Sequence, residues 1–180
     1  LTRYAHIDES MKHQFEGFPR SAPTMATLSA MINALSCYHL DLHELEDEAE
    51  LRHAAARLIS KIRTIAAYAF RHSRGLPYVY PDPGLRYVPN LLHMMFSQPY
   101  SQYVCPILVR KAFNLILILH ADHEQNCSTS TVRMVASGQA NLHASVSAGV
   151  CALWGKLHGG ANQAVVEMLS ELHEAGATID

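Results

Sequence analysis

The sequence has no run of eighteen apolar residues, which excludes a conventional membrane-spanning helix. Charge is sparse. Charged residues make up 17% of the chain and the net charge is -2, so there is no basic field of the kind that draws in nucleic acid or an anionic membrane surface. Four scattered cysteines, Cys37, Cys105, Cys127 and Cys151, form no C-x-x-C pair, and the usual spacing of a zinc or redox framework is missing with it. The opening "LTRYAHIDES" has neither an initiator Met nor the apolar h-region of a signal peptide. The thiols are therefore expected to be reduced packing residues in a cytoplasmic setting. Internal repeats and low-complexity tracts are lacking. Strand alternation is confined to short pieces such as "PYVYP", whose flanking prolines demote it.

What remains is helical. At 180 residues, 49% of them hydrophobic, the chain suits one domain with a substantial core. Residues 22–40 place Met25, Leu28, Met31, Ile32 and Leu35 at three- and four-residue steps, with Pro23 in the first turn. Residues 46–73 read as a longer helix, acidic at its start and basic at its end, with Leu51, Ala55, Leu58, Ile59, Ile62, Ile65 and Ala66 as its apolar stripe. A Gly- and Pro-rich loop spans 72–90, and the short helix "NLLHMMFS" follows, ended by Pro99. Pro106 opens a helix whose last turn is expected to carry His120 and His123. Three more helices are expected before the glycine stops at Gly138, Gly155 and Gly176. The fold class is all-α. The final "GATID" breaks off after a helix stop, so the chain is expected to be an internal piece of a longer one, with N-terminal and C-terminal portions absent.

The compositional oddity is histidine, twelve in all. His120 and His123, three apart, can share a helix face. That suits a metal, but the order H-A-D-H-E is not the H-E-x-x-H of zinc proteases. A polar helix residue satisfied by its neighbours is the plainer reading. His158 stands in "WGKLHGGANQAV", flanked by glycines and just ahead of an expected helix. Glycines let a ligand approach the backbone closely, and the positive potential of a helix N-terminus favours a neutral imidazole. Such a ring can donate a hydrogen bond to a carbonyl oxygen and stabilise an enolate as it forms. The glycines would equally serve a tight helix–helix corner. Asn126 to Thr131, "NCSTST", could cap a helix or orient a nearby imidazole.

In order and spacing, "LHADHEQN", "STSTVR", "SAG", "LWG" and "HGGANQAV" closely resemble citrate synthase of the bacterial type. "RLISKIRTIAAYAF", "PYVYP" and "LLHMMFS" are similar as well, so the resemblance runs essentially from Leu1 to Asp180. It implies that residues 1–180 are part of the large helical domain of an enzyme that condenses acetyl-CoA with oxaloacetate to give citrate and CoA. That reaction is the first step of the tricarboxylic acid cycle and uses no cofactor beyond its substrates. His158 matches the histidine that hydrogen-bonds the acetyl thioester carbonyl, and His123 one that binds oxaloacetate. Asn126 and Ser128 match residues that support the catalytic imidazole, and His120 would line the site. A second histidine, the aspartate base and the dicarboxylate-binding arginines belong to stretches this sequence lacks, so the 180 residues alone are expected to be inactive. The resemblance further implies a homodimer whose long helices pair across the subunit interface, with dimers sometimes assembled into hexamers.

Bacterial members are often inhibited by NADH. Arg3, Tyr38, Arg57 and Lys61 fall where that effector site has similar residues, while Tyr4, Ala5 and His6 depart from the NADH-sensitive pattern. Tyr100 stands where some members have a reactive cysteine. The nearest alternative is 2-methylcitrate synthase acting on propionyl-CoA, which shares "HGGAN". More remote are a hydrolase with a metal held by His120, His123 and His158, and a helical interaction module without catalysis.

Overall fold

The computed structural model describes residues 2–42, 47–121 and 124–177. Eight α-helices follow one another among these residues: α1 (Ser10–Glu16), α2 (Thr24–Ala34), α3 (Glu48–Ser73), α4 (Tyr87–Phe96), α5 (Ile107–Ala121), α6 (Cys127–Ser137), α7 (Leu142–Leu153) and α8 (Gly160–Glu174). No strand is found among them; Gln98 and Ser101 form one isolated antiparallel bridge. The all-α expectation holds.

The long helix α3 organises the body. Asp47 caps it by accepting the Glu50 N–H at 2.8 Å, Glu48 and Glu50 lie in the first turn, and Arg71 and His72 lie in the last. Side chains therefore complement the backbone dipole at both ends. Leu58, Ile65, Ala67, Tyr68 and Ala69 of α3 meet Met11 and Phe15 of α1, Met31 and Ile32 of α2 and Met94 of α4 in one core. Each fully buried large side chain there contributes on the order of 1.5–3 kcal/mol. The rings of Tyr68 and Tyr78 stack at 4.7 Å, and Phe15 meets Tyr68 edge-on at 6.1 Å. Arg71 is fully buried and gathers the chain around it. Its Nη1 donates to the carbonyls of Met94, Met95 and Ser97 at 3.3, 3.0 and 2.9 Å, and its Nε donates to Pro77 O. Those carbonyls close α4, whose end would otherwise leave them unpaired.

Some boundaries differ from the sequence reading. The helix expected over 22–40 stops at Ala34, where the chain tightens into the 3₁₀ turn Leu35–Cys37, with Tyr38 N–H bonded to Leu35 O at 3.0 Å. Pro23 precedes that helix instead of sitting in its first turn. Helix α1 was unforeseen, although Met11 and Phe15 stand at helical spacing. Helix α4 begins earlier than expected, at Tyr87, with Pro89 in the first turn where no N–H is needed. Of the three expected glycine stops only Gly176 takes a left-handed φ, +67°; after α6 that conformation belongs to Gln139, φ 61°.

The segment from α6 to α8 hangs on α7. Leu142, Val146 and Val150 pack against the core, and Ser147 Oγ donates to Ser29 O of α2 at 2.8 Å. Helices α5 and α8 contain no buried residue. Among the described residues no helix is long and apolar enough to cross a membrane.

Candidate active site

Helix α6 is placed by α7. A Cβ added at Gly149 would come within 2.5 Å of Val132 Cγ2 and 3.4 Å of Ser128 O, so the absence of a side chain is what lets the two helices lie this close. Asn126 caps α6: its Oδ1 accepts the Thr129 N–H at 2.9 Å. Ser128 follows in the first turn, so its hydroxyl is fixed near the helix start.

The chain then leaves α7 through Trp154 and makes a turn over 155–159. Gly155 O accepts the N–H of His158 at 2.9 Å and that of Gly159 at 3.0 Å. A Cβ on Gly159 would stand 2.1 Å from Leu153 O. That clash with rigid backbone rules out a side chain at this point, with φ at an ordinary -79°. The turn brings His158 Nε2 to 2.7 Å from Ser128 Oγ. Ser128 and His158 are thus joined across thirty residues, and Asn126 acts on the pair indirectly, by ordering the turn that holds Ser128.

The Ser128 contact defines what the ring can do. When the hydroxyl donates to Nε2, a neutral imidazole carries its proton on Nδ1, and Nδ1–H is free to donate to a ligand oxygen. The first turn of α6 meets this ring through Ser128, and α8 begins two residues further along the chain. Both present positive potential.

His120 ends α5. Its Nδ1 lies 2.7 Å from Ile116 O and its Nε2 lies 3.2 Å from Asn162 Oδ1 in α8. The resemblance gave His120 only a lining role, and Asn162 was not singled out although it stands in the quoted "HGGAN". His123, the oxaloacetate candidate, lies outside the described residues. Among the described residues no group of three or more His, Cys, Asp or Glu is arranged to hold a metal.

Of the four candidate effector residues, Arg57 and Lys61 stand in the middle of α3, Tyr38 follows the 3₁₀ turn Leu35–Cys37, and Arg3 belongs to the N-terminal 3₁₀ turn. Arg57 Nη1 pairs with Asp41 Oδ2 at 2.6 Å, and its Nη2 lies 3.1 Å from His39 Nδ1. Lys61 Nζ, one turn on, donates to His6 O. Tyr38 Oη accepts from Ser10 Oγ at 3.0 Å and Gln14 Nε2 at 2.8 Å. Arg3 is exposed on the adjacent 3₁₀ turn Thr2–Tyr4. Burial, with Arg57 nearby, pulls the Lys61 ammonium below its ordinary value, and burial beside Lys61 and Arg57 does the same to His39. The rings of His39 and His143 stack with centroids 5.8 Å apart.

Comparison with known proteins places the chain in a family. The family model for "Citrate synthase, C-terminal domain" matches residues 1–180. The chain is 53% identical over 173 residues to the citrate synthase of Corynebacterium glutamicum, covering 96% of this chain and 39% of that protein. It is 48% identical over 176 residues to citrate synthase 1 of Mycobacterium tuberculosis H37Rv, covering 98% of this chain and 41% of that protein. Among solved structures, citrate synthase from Pyrobaculum aerophilum superposes with a TM-score of 0.82 at 32% identity, over 95% of this chain and 43% of the other. The Thermoplasma acidophilum citrate synthase, solved with carboxymethyl coenzyme A and oxaloacetate, shares the fold with a TM-score of 0.82 at 24% identity, over 95% of this chain and 43% of the other. This chain therefore spans about two fifths of the relatives it matches.

Proposed function

The chain belongs to the citrate synthase family, and on that premise we propose that the longer polypeptide corresponding to its relatives condenses acetyl-CoA with oxaloacetate, giving citrate and CoA. Residues 1–180 would form part of its large helical domain. The observation that carries the reading is the 2.7 Å contact between Ser128 Oγ and His158 Nε2. With the serine O–H donated to Nε2, His158 Nδ1–H meets the acetyl thioester oxygen. As a proton leaves the acetyl methyl, charge builds on that oxygen, and the hydrogen bond strengthens where the transition state needs it. The enol carbon then attacks the oxaloacetate carbonyl, and water cleaves the thioester to release CoA. His123 would hold oxaloacetate, and Asn126 would act through the α6 cap. The chemistry is proton transfer and carbon–carbon bond formation, so acetyl-CoA enters as a substrate and no resident cofactor is invoked.

The relatives are named citrate synthase, which does not favour the 2-methylcitrate alternative. A metal held by His120, His123 and His158 gains no support from the contacts of His120, whose two ring nitrogens face Ile116 O and Asn162. The proposal extends to assembly and regulation. The exposed apolar side chains of α5, Ile107, Leu108, Leu115, Ile118 and Leu119, suit burial against another part of the longer polypeptide or a second subunit in a homodimer or hexamer. Arg57 and Lys61, one turn apart on α3, would receive NADH together with Tyr38 and Arg3; the Arg57–Asp41 pair would have to open. The setting is cytoplasmic.

In a thiol-release assay of the full-length polypeptide, His158→Ala is expected to lower kcat by about 10³-fold or more with folding retained. The 180-residue chain alone is expected to show no turnover. An unimpaired His158→Ala variant, or an active isolated chain, overturns the reading.

A further inference from the structure

Two side-chain bonds reach from the 116–128 stretch to the glycine turn. Ser128 holds His158, and His120 holds Asn162, four residues further on. In sequence His120 and Ser128 flank His123, while His158 precedes α8 and Asn162 lies in its first turn. The second bond therefore has the place of a strut: it joins the end of α5, just before the segment proposed to bind oxaloacetate, to the helix that follows the acetyl-activating histidine.

The chemistry of His120 fixes the direction of that strut. Ile116 O can only accept, so the 2.7 Å contact requires a proton on Nδ1. In a neutral ring Nε2 is then an acceptor, and the Asn162 amide must offer its N–H. The structure has Oδ1 facing the ring at 3.2 Å; a half-turn about χ2 exchanges O and N at no steric expense. His120 thus accepts from Asn162 while donating to its own helix, a chain of two bonds that orients both side chains.

We propose that His120 and Asn162 are a positioning pair for the condensation, setting the distance between the oxaloacetate-binding segment and His158 without touching the reacting atoms. The inference rests on the synthase reading. Both side chains are exposed, and an exposed bond of this kind adds little to stability. Its removal should accordingly leave folding almost untouched while loosening the register of the two substrates, where an error near 1 Å costs about 10²-fold in rate.

The test uses the full-length polypeptide with wild type and His158→Ala alongside. His120→Ala and Asn162→Ala are each expected to lower kcat by about 10- to 100-fold, with KM for both substrates changed no more than about threefold and the thermal midpoint moved by no more than about 3 °C. The double variant should fall no further than the worse single, as members of one unit do. His120→Gln, which keeps an acceptor near the Nε2 position, should recover most of the loss. In ¹⁵N spectra of the wild type, His120 should carry its proton on Nδ1. Unchanged kcat in either alanine variant, a double loss equal to the product of the singles, or a proton on Nε2 alone each overturns the proposal. If an alanine variant fails to fold, the Gln variant and the ¹⁵N tautomer decide. An inactive wild type would refute the synthase reading; an active wild type with indifferent alanine variants refutes only the pair.

Discussion

Helices α3 and α5 are both rich in aliphatic residues, yet they have opposite fates. Eleven residues of α3 are buried, and none of α5 is. Ile65 of α3 is completely enclosed by α1, α2 and α4, whereas Ile118 of α5 is 63% exposed. Apolar periodicity thus states that a face wants cover; it does not state what covers it. The comparison divides the molecule by purpose. Helices α1 to α4 with α7 form a body with its own core. Helix α5 and the turn before α8 hold the residues proposed for the chemistry, and neither α5 nor α8 has a buried residue.

That division can be tested by substitution. In the 180-residue chain, Ile65→Ala should destabilise by about 2–5 kcal/mol through lost contacts and a cavity, while Ile118→Ala should change stability by less than about 0.5 kcal/mol. Urea denaturation measures both, and equal losses would erase the distinction. The same pair in the full-length polypeptide sharpens it: Ile118→Ala should then become destabilising by more than about 1 kcal/mol if α5 is covered there.

A smaller effect is expected where body and site meet. Gly149→Ala should cost about 1–3 kcal/mol, because the new methyl overlaps Val132 Cγ2. Adding Val132→Ala should return part of that loss, and in the full-length polypeptide kcat should follow, since α6 carries Ser128. A single alanine variant as stable as the wild type would show that α6 yields freely.

The smallest effect lies in the body, at His39. Burial beside Lys61 and Arg57 holds the folded imidazole below its ordinary value near 6.5. The unfolded chain therefore binds the proton more readily, and stability falls as pH drops through that value toward the folded one. Between about pH 7.5 and about pH 5.5, His39→Gln should lose less stability than the wild type. Parallel pH profiles from calorimetry would count against it.

Much of the fold was legible because helix signals are local. The acid-to-base gradient of α3 and the Gly176 stop each depend on a few adjacent residues. Tertiary demands were not legible. The chain tightens into a 3₁₀ turn after Ala34; Tyr38 turns toward Ser10 and Gln14; Gln139 takes a left-handed φ beside an available glycine. The site divides the same way. "HGGAN" and "STST" marked His158 and Ser128, but their 2.7 Å meeting depends on how closely α6 and α7 pack. Asn162 stood inside a quoted motif, and only the fold reveals that it faces His120. Local chemistry gave Asn126 either role, and its side chain is a cap. His123 lies outside the described residues.

The placement of His158 between two helix starts has a further consequence. Its ring touches the first turn of α6 through Ser128, and α8 begins two residues beyond it. Both sets of backbone dipoles are locked by hydrogen bonds before any substrate arrives. In the role proposed for His158, an oxygen that gained negative charge against this imidazole would meet dipoles already fixed in place. Water around the same oxygen would have to reorient as the charge grew; two folded helices would not, and for the proposed reaction that difference in reorganisation would lower the barrier.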